Sequence, residues 1–414
     1  MHLDAFLPDA RTPWDFAAAA HLWRRAGFGA PLDTVEATLA LGPAEAAHAL
    51  VRGPAKDAAL DDLESIYPSV LGLGGPDPIR AWLVARMLRS GHQLREKVAL
   101  FWHGHFATSI AKVRDEGFMA RQYRLFLDGG LGRFGDLLGK VARDPAMIRW
   151  LDNETNRKGH PNENYARELF ELFTLGPGHY SEQDIQEAAR AFTGWTILRD
   201  AFHFAAPLHD EGEKAVFGRR GAFGGDDILR LALEQKACGN FLAGKLLRFF
   251  VAPEPPPDAI EEFGALLRGN GYDLSASLET LFASRLFFDP AHRRTLIKSP
   301  LEFLVGGARC LAIAPDASAL VPLLREMGQD LLAPPNVKGW PGHRDWINTA
   351  TWMTRVNAAR ELTKGATGLG AERALRSLLG EVPGDGAGRA LLAADASPAE
   401  RAHALLCLPE SHLS

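Results

Sequence analysis

The sequence predicts an all-α fold, a multi-helix globular bundle with an irregular loop or small hairpin insertion near residues 196–226. Three observations carry this reading. Residues 15–26 run free of Gly and Pro and stop at Gly27, as helices do, and further Ala- and Leu-rich stretches favour helix by propensity. Ser181-Glu-Gln-Asp184 and Ser397-Pro-Ala-Glu400 each set a hydroxyl three residues before an acid, the capping-box pattern of a helix start. Strand-like alternation is confined to FHFAAP and KAVFGRR, both inside 196–226.

Taken in order, residues 15–26 (DFAAAAHLWRRA) read as a helix stopped by Gly27, and Pro31-Leu-Asp33 opens an Ala/Leu stretch to Leu50. A polar linker follows around Gly53–Asp62, then helices over 78–90 and 93–103. The second of these, QLREKVALFWHGHF, turns wholly apolar from Val98 to Trp102 and should be buried. Helical signals at 116–128, 131–143 and 145–151 are separated by Gly129-Gly130 and Asp144-Pro145. A turn-rich loop, 152–162, precedes a helix from Glu163 to Leu175, and the Ser181 box opens another reaching about Thr193. Beyond the insertion, helices are expected at 226–236, 239–250, 257–268, 273–285, 299–312 and 316–327. An aromatic, Pro- and Gly-rich loop, 333–346, leads to a helix near 347–363. Residues 1–363 are expected to form one large helical domain, whose first 92 residues can make a sub-lobe. Residues 364–414, rich in Gly and Ala, should pack on it as short helices.

The 414 residues are 46% hydrophobic and 23% charged, enough to bury a large core without disulfides or structural metal. Lys and Arg number 46 against 51 Asp and Glu, for a net charge of −5, which argues against a nucleic-acid partner. Cys238, Cys310 and Cys407 fit neither a zinc pattern nor a disulfide framework, so free thiols in a reducing compartment are expected. The opening MHLDAFLPDARTPWDF has no apolar core of signal length, and no eighteen apolar residues run together. A cytoplasmic location without a membrane span is the expectation.

Four segments can carry chemistry. In Trp102-His103-Gly104-His105-Phe106, residues two apart point roughly 160–200° apart on a helix, so His103 and His105 can share a metal only if Gly104 bends the chain. The densest segment holds Asn153, Asn156, Arg157, Lys158, His160 and Asn162, then a helix whose α-helical spacing groups Asn164, Arg167, Glu168 and Glu171 as one polar stripe. Two carboxylates a turn apart can bind a metal, act as acid and base, or hold Arg167, and a basic loop before a helix start favours an anion. His209-Asp210 is a weaker metal candidate, read more simply as a turn. Pro334 to Trp340, continuing to Trp346, sets Asn336, Lys338 and Trp340 together, as a sugar, base or anion site or as a plug on the core.

Together, His21-Leu-Trp-Arg24-Arg25-Ala-Gly27-Phe28-Gly29, Arg95 to Phe106, Asn156 to Gly159 with Asn162 to Gly176, Tyr180 to Trp195 and Pro335 to Trp340 resemble the bacterial family called domain of unknown function 1800 over nearly the whole chain. The resemblance implies a largely helical fold and no established reaction. It also implies frequent export, and a gene neighbour of the domain of unknown function 1501 type, which resembles alkaline phosphatases and sulfatases. That neighbour would be a protein partner, and it hints at phosphate- or sulfate-bearing substrates. Two departures stand out: Gly104 replaces a usual Asn, and no export signal is visible.

The expected function is therefore a hydrolase-like enzyme acting on a small anionic substrate. Glu168, Glu171 and His105 would be its catalytic groups, and His103, His105 and Glu168 the ligands of a divalent metal. Asn156, Arg157, Lys158, Asn162, Asn164, Arg167, Trp195, Asn336, Lys338 and Trp340 would hold the anion. One rival is a non-catalytic partner protein in which the Asn/Arg/Glu stripe is a structural hydrogen-bond network. The other is a carbohydrate-binding or -processing protein using Trp195, Trp340 and Trp346.

Overall fold

The computed structural model describes residues 1–364, 366, 371–380 and 396–414. Helices dominate, and four short strands form two separate antiparallel pairs. The centre of the molecule is the Gln93–His105 helix, whose residues are almost all buried. It packs against the helices Phe16–Ala26, Pro43–Arg52, Asp77–Arg89 and Glu116–Gly129. Its apolar run Val98–Trp102 reaches the core from every side, so burial is met by encirclement and not by one amphipathic face. Trp102 is fully buried, stacks at 5.4 Å on both Phe106 and Phe134, and donates from Nε1 to Gly130 O at 2.9 Å. A Cβ at Gly130 would stand 2.3 Å from Phe126 O, which is why that turn carries glycine.

Charged residues inside this core are tied down. Arg86 bonds Glu96 at 2.8 Å and also pairs with Glu64. Lys97 donates to Gly27 O and Arg24 O and pairs with Glu302 at 2.7 Å, while Phe28 N donates to the Gln93 side chain. Much of what is distinctive in residues 21–29 and 93–97 thus serves to lock the first helix, the central helix and the Pro300–Cys310 helix together. Leaving one such buried charge unpaired would cost about 3–5 kcal/mol.

The expected helices are present with shifted ends; two differ in kind and one helix was not expected. The Ala/Leu stretch from Pro31 to Leu50 is two helices, Leu32–Leu39 and Pro43–Arg52, because Gly42 adopts a positive φ of 76° and Pro43 starts a new first turn. The presumed linker after Gly53 runs into a further helix, Asp61–Gly72, with three acids in its first turn. The helix expected over 163–175 is α-helical only at Asn164–Glu168 and becomes a π-helix at Leu169–Thr174. Both capping boxes, at Ser181 and Ser397, form as expected.

The insertion holds two hairpins: β1 (Trp195–Leu198) pairs with β2 (Ala201–Phe204), and β3 (Lys214–Val216) with β4 (Arg219–Gly221). At the C-terminal end, the helices Ala371–Leu379 and Pro398–Leu406 pack on each other, the first also on Leu32–Leu39 and the second on Thr349–Thr363. The Gly- and Ala-rich residues 365, 367–370 and 381–395, where short helices were expected, lie outside the described residues. Among the described residues, no helix is long and apolar enough to cross a membrane.

Candidate functional site

The central helix stays α-helical through His105, so Gly104 does not bend it and the two imidazoles face different surroundings. His103 accepts from Leu332 N at 3.0 Å through Nε2 and lies edge-on to Tyr123 and Trp340. His105 donates from Nε2 to Phe173 O at 3.1 Å, which leaves Nδ1 as a buried lone pair without a protein partner. Burial pushes the His103 ring down to about 3 and the His105 ring well below its ordinary range, so both are neutral. Among the described residues, no group of three or more His, Cys, Asp and Glu is placed to hold a metal ion. The expected set of His103, His105 and Glu168 is not assembled, because helical periodicity sends the histidines apart and His103 spends its lone pair on the backbone.

The asparagine-rich segment is a structural network. Asn156 donates to Ala189 O and to the Asn153 side chain, and accepts from Asn162 N. Asn153 donates to Trp195 O, Asn162 to Asp152 O and Thr155, and Asn164 to Leu151 O. These bonds replace the secondary structure that the loop lacks, and they fasten it to the Glu182–Ala191 helix and β1. Arg167 is engaged by Glu182 at 2.7 Å and Glu163 at 3.1 Å, so its guanidinium is not offered to a ligand. Arg157 and Lys158 are exposed on the turn. Trp195 is buried against Phe192 and Phe202, with Arg143 over its ring at 4.6 Å, and offers no stacking face.

His209 and Asp210 are likewise occupied. The imidazole bonds Thr193 O at 2.9 Å, and Asp210 takes two bonds from Arg190, which holds its carboxyl down at about 2. They clamp the second hairpin to the Glu182–Ala191 helix.

Of the expected site residues, His105, Lys338 and Trp340 meet at one cavity of about 510 Å³, which Glu168, Glu171 and Asn336 do not line. His105, Lys338, Trp340 and Trp346 line it, together with Lys245 and Arg248 from the Lys236–Phe250 helix and Phe101 and Phe249 as apolar wall. The 333–342 loop closes one side by direct backbone contact: Gly339 has φ +89°, and a Cβ there would lie 2.5 Å from Gly104 O. A Cβ at Gly104 would meet nothing within 4 Å, so Gly104 borders open space in this cavity.

The π-helix touches two of the lining side chains through its backbone. Its Leu172 and Phe173 carbonyls accept from Lys245 Nζ at 3.1 Å and from His105 Nε2, respectively. Lys245, largely enclosed and next to Arg248, is held down at about 8. Trp340 Nε1, His343 Nδ1 and His105 Nδ1 are buried without protein partners, an uncommon concentration of unsatisfied polar atoms around one cavity. Glu168 lies within electrostatic reach of Lys338; burial, with neighbouring Glu171, raises its carboxyl. Glu171 accepts from the Tyr180 hydroxyl at 3.1 Å.

Lys245 and Arg248 escaped the sequence reading. Their signal was two cations at i, i+3 inside the otherwise apolar FLAGKLLRFF. No curated protein and no solved structure matches the chain. The family model described as protein of unknown function (DUF1800) matches residues 21–410, and the chain belongs to that family.

Proposed function

We propose that the protein binds a small anionic molecule, phosphate- or sulfate-bearing and with a flat apolar body, in the cavity between the central helix and the 333–342 loop. The observation that carries this is the convergence of three cations, Lys245, Arg248 and Lys338, on a cavity that also holds Phe101, Phe249, Trp340 and Trp346; of its two carboxylates, Glu302 is paired with Lys97, which leaves Glu254 against the three cations. The largely enclosed Lys245 attracts an anion more strongly than it would in water, the exposed Arg248 and Lys338 add positive charge beside it, and Trp340 and Trp346 can flank an apolar body. Calorimetric titration with inorganic sulfate and phosphate, at low and moderate salt, tests the reading. Saturable binding that weakens at least about tenfold in K338A or R248A supports it, and heat no larger than dilution overturns it.

Hydrolysis of such a ligand is a second reading, favoured by Glu168, whose raised carboxyl beside Lys338 suits a proton donor. Turnover of phosphate and sulfate monoesters that is lost in E168Q would support it. A protein partner of the phosphatase- or sulfatase-like kind would present such ligands, and co-purification from the native host tests that pairing. The three free thiols fit a reducing compartment, the location we infer.

A further inference from the structure

Two enclosed lysines are held down at about 8 without a carboxylate at ion-pair distance among the described residues, Lys245 and Lys298, whereas Lys97 is paired with Glu302 at 2.7 Å. Lys298 donates to Ser411 O and does not line the cavity; Lys245 does. Its Nζ makes one bond, to Leu172 O at 3.1 Å, and stands 5.1 Å from the Phe241 ring centroid. The charged and titratable groups sharing the cavity are Arg248, Lys338, Glu254, Glu302, His105 and His343, and of the carboxylates Glu302 is committed to Lys97. With burial and Arg248 holding the ammonium at about 8, about one amine in ten is neutral at pH 7, far more than for a solvated lysine.

We propose that Lys245 is a covalent attachment residue for a small carbonyl compound that also bears an acidic group, a 2-oxo acid being the simplest member, with Arg248 and Lys338 holding the acid. This rests on the cavity being an anion site and names the class of compound it takes. The neutral amine attacks the carbonyl carbon, a C–N bond forms, and the carbonyl π pair moves to oxygen, which receives one nitrogen proton. The carbinolamine C–O bond then breaks, the hydroxyl leaves as water with the second nitrogen hydrogen, and a C=N bond remains. Amine plus carbonyl gives imine plus water, with no net oxidation or reduction.

The test is reductive trapping. The full chain is incubated with pyruvate or with acetone in the presence of cyanoborohydride, digested, and its lysines mapped by mass spectrometry. Pyruvate is expected to label Lys245 about tenfold or more faster than the exposed Lys236 and Lys364, and acetone to label it correspondingly slowly. K245R, with its fold checked by circular dichroism, should lose that adduct. Labelling spread evenly over surface lysines overturns the proposal. Acetone reacting at Lys245 as fast as pyruvate overturns the requirement for an acidic group. Wild-type protein that binds sulfate but gives no Lys245 adduct sinks the imine and leaves the anion reading standing. Failure of both sinks both.

Discussion

Acidification should destabilise this protein between pH 7 and 5, well above the ordinary carboxylate range, because four imidazoles are held neutral in its interior. His21 and His103 are 1% exposed, His105 3% and His412 4%. Burial pushes His103 and His412 down to about 3 and the other two well below their usual value. An unfolded chain takes up these protons near pH 6.5 and the folded chain does not, so the stability they contribute is present above pH 6.5 and is lost as pH falls. By linkage, rings that stay neutral throughout would together cost up to about 6 kcal/mol at pH 5.5 and up to about 8 kcal/mol at pH 5.0.

Asp144 acts in the opposite direction. Its burial raises the carboxyl to about 7, so acidification from pH 7 toward 4 favours the fold and returns about 2 kcal/mol at pH 5.5. The net loss is up to about 4 kcal/mol at pH 5.5, a large fraction of the 5–15 kcal/mol typical of a folded domain. Urea unfolding at pH 7.5, 6.5 and 5.5 measures it. H103Q, which can still accept from Leu332 N without charging, should recover about 1 kcal/mol of the loss at pH 5.5. Unfolding free energies that agree within about 1 kcal/mol at pH 7.5 and 5.5 would refute the reasoning.

Other outcomes follow from the same geometry. G339A must push its Cβ against Gly104 O from a left-handed backbone; about 1–3 kcal/mol of strain should unseat Lys338 and Trp340, lowering the thermal midpoint and sulfate affinity together. G104N meets open space, so its stability should stay within about 1 kcal/mol of wild type while the narrowed cavity weakens sulfate binding, read by calorimetry. N156A removes the hub of the asparagine network and should cost about 2–3 kcal/mol in urea unfolding, with sulfate affinity unchanged. D210N should weaken the hold of Arg190 on the second hairpin, seen as faster hydrogen exchange over residues 210–221, again without effect on sulfate.

The fold was legible where local chemistry decides it. Capping hydroxyls, helix-stopping glycines and the apolar run Val98–Trp102 each act within a turn or two of chain, and each produced the expected element. The Asp61–Gly72 helix was missed because its acids look like linker, although they suit a helix N-terminus. The π-helix was missed because nothing local signals i→i+5 bonding; it goes with the Leu172 and Phe173 carbonyls being taken up by Lys245 and His105, both distant in sequence.

The site was legible only in part, and for a related reason. Residue type reveals what a side chain can do, and by itself the sequence determined the helical class, the family resemblance and a set of polar residues able to bind an anion. Whether that capacity is spent internally depends on neighbours tens or hundreds of positions away. Asn156, Arg167, Trp195 and Asp210 found partners inside the fold, while His105, Lys338 and Trp340 were left facing a cavity with Lys245 and Arg248. Only tertiary structure makes that division, because a hydrogen bond or an ion pair satisfies a polar group by proximity in space, which sequence spacing does not encode beyond a helical turn.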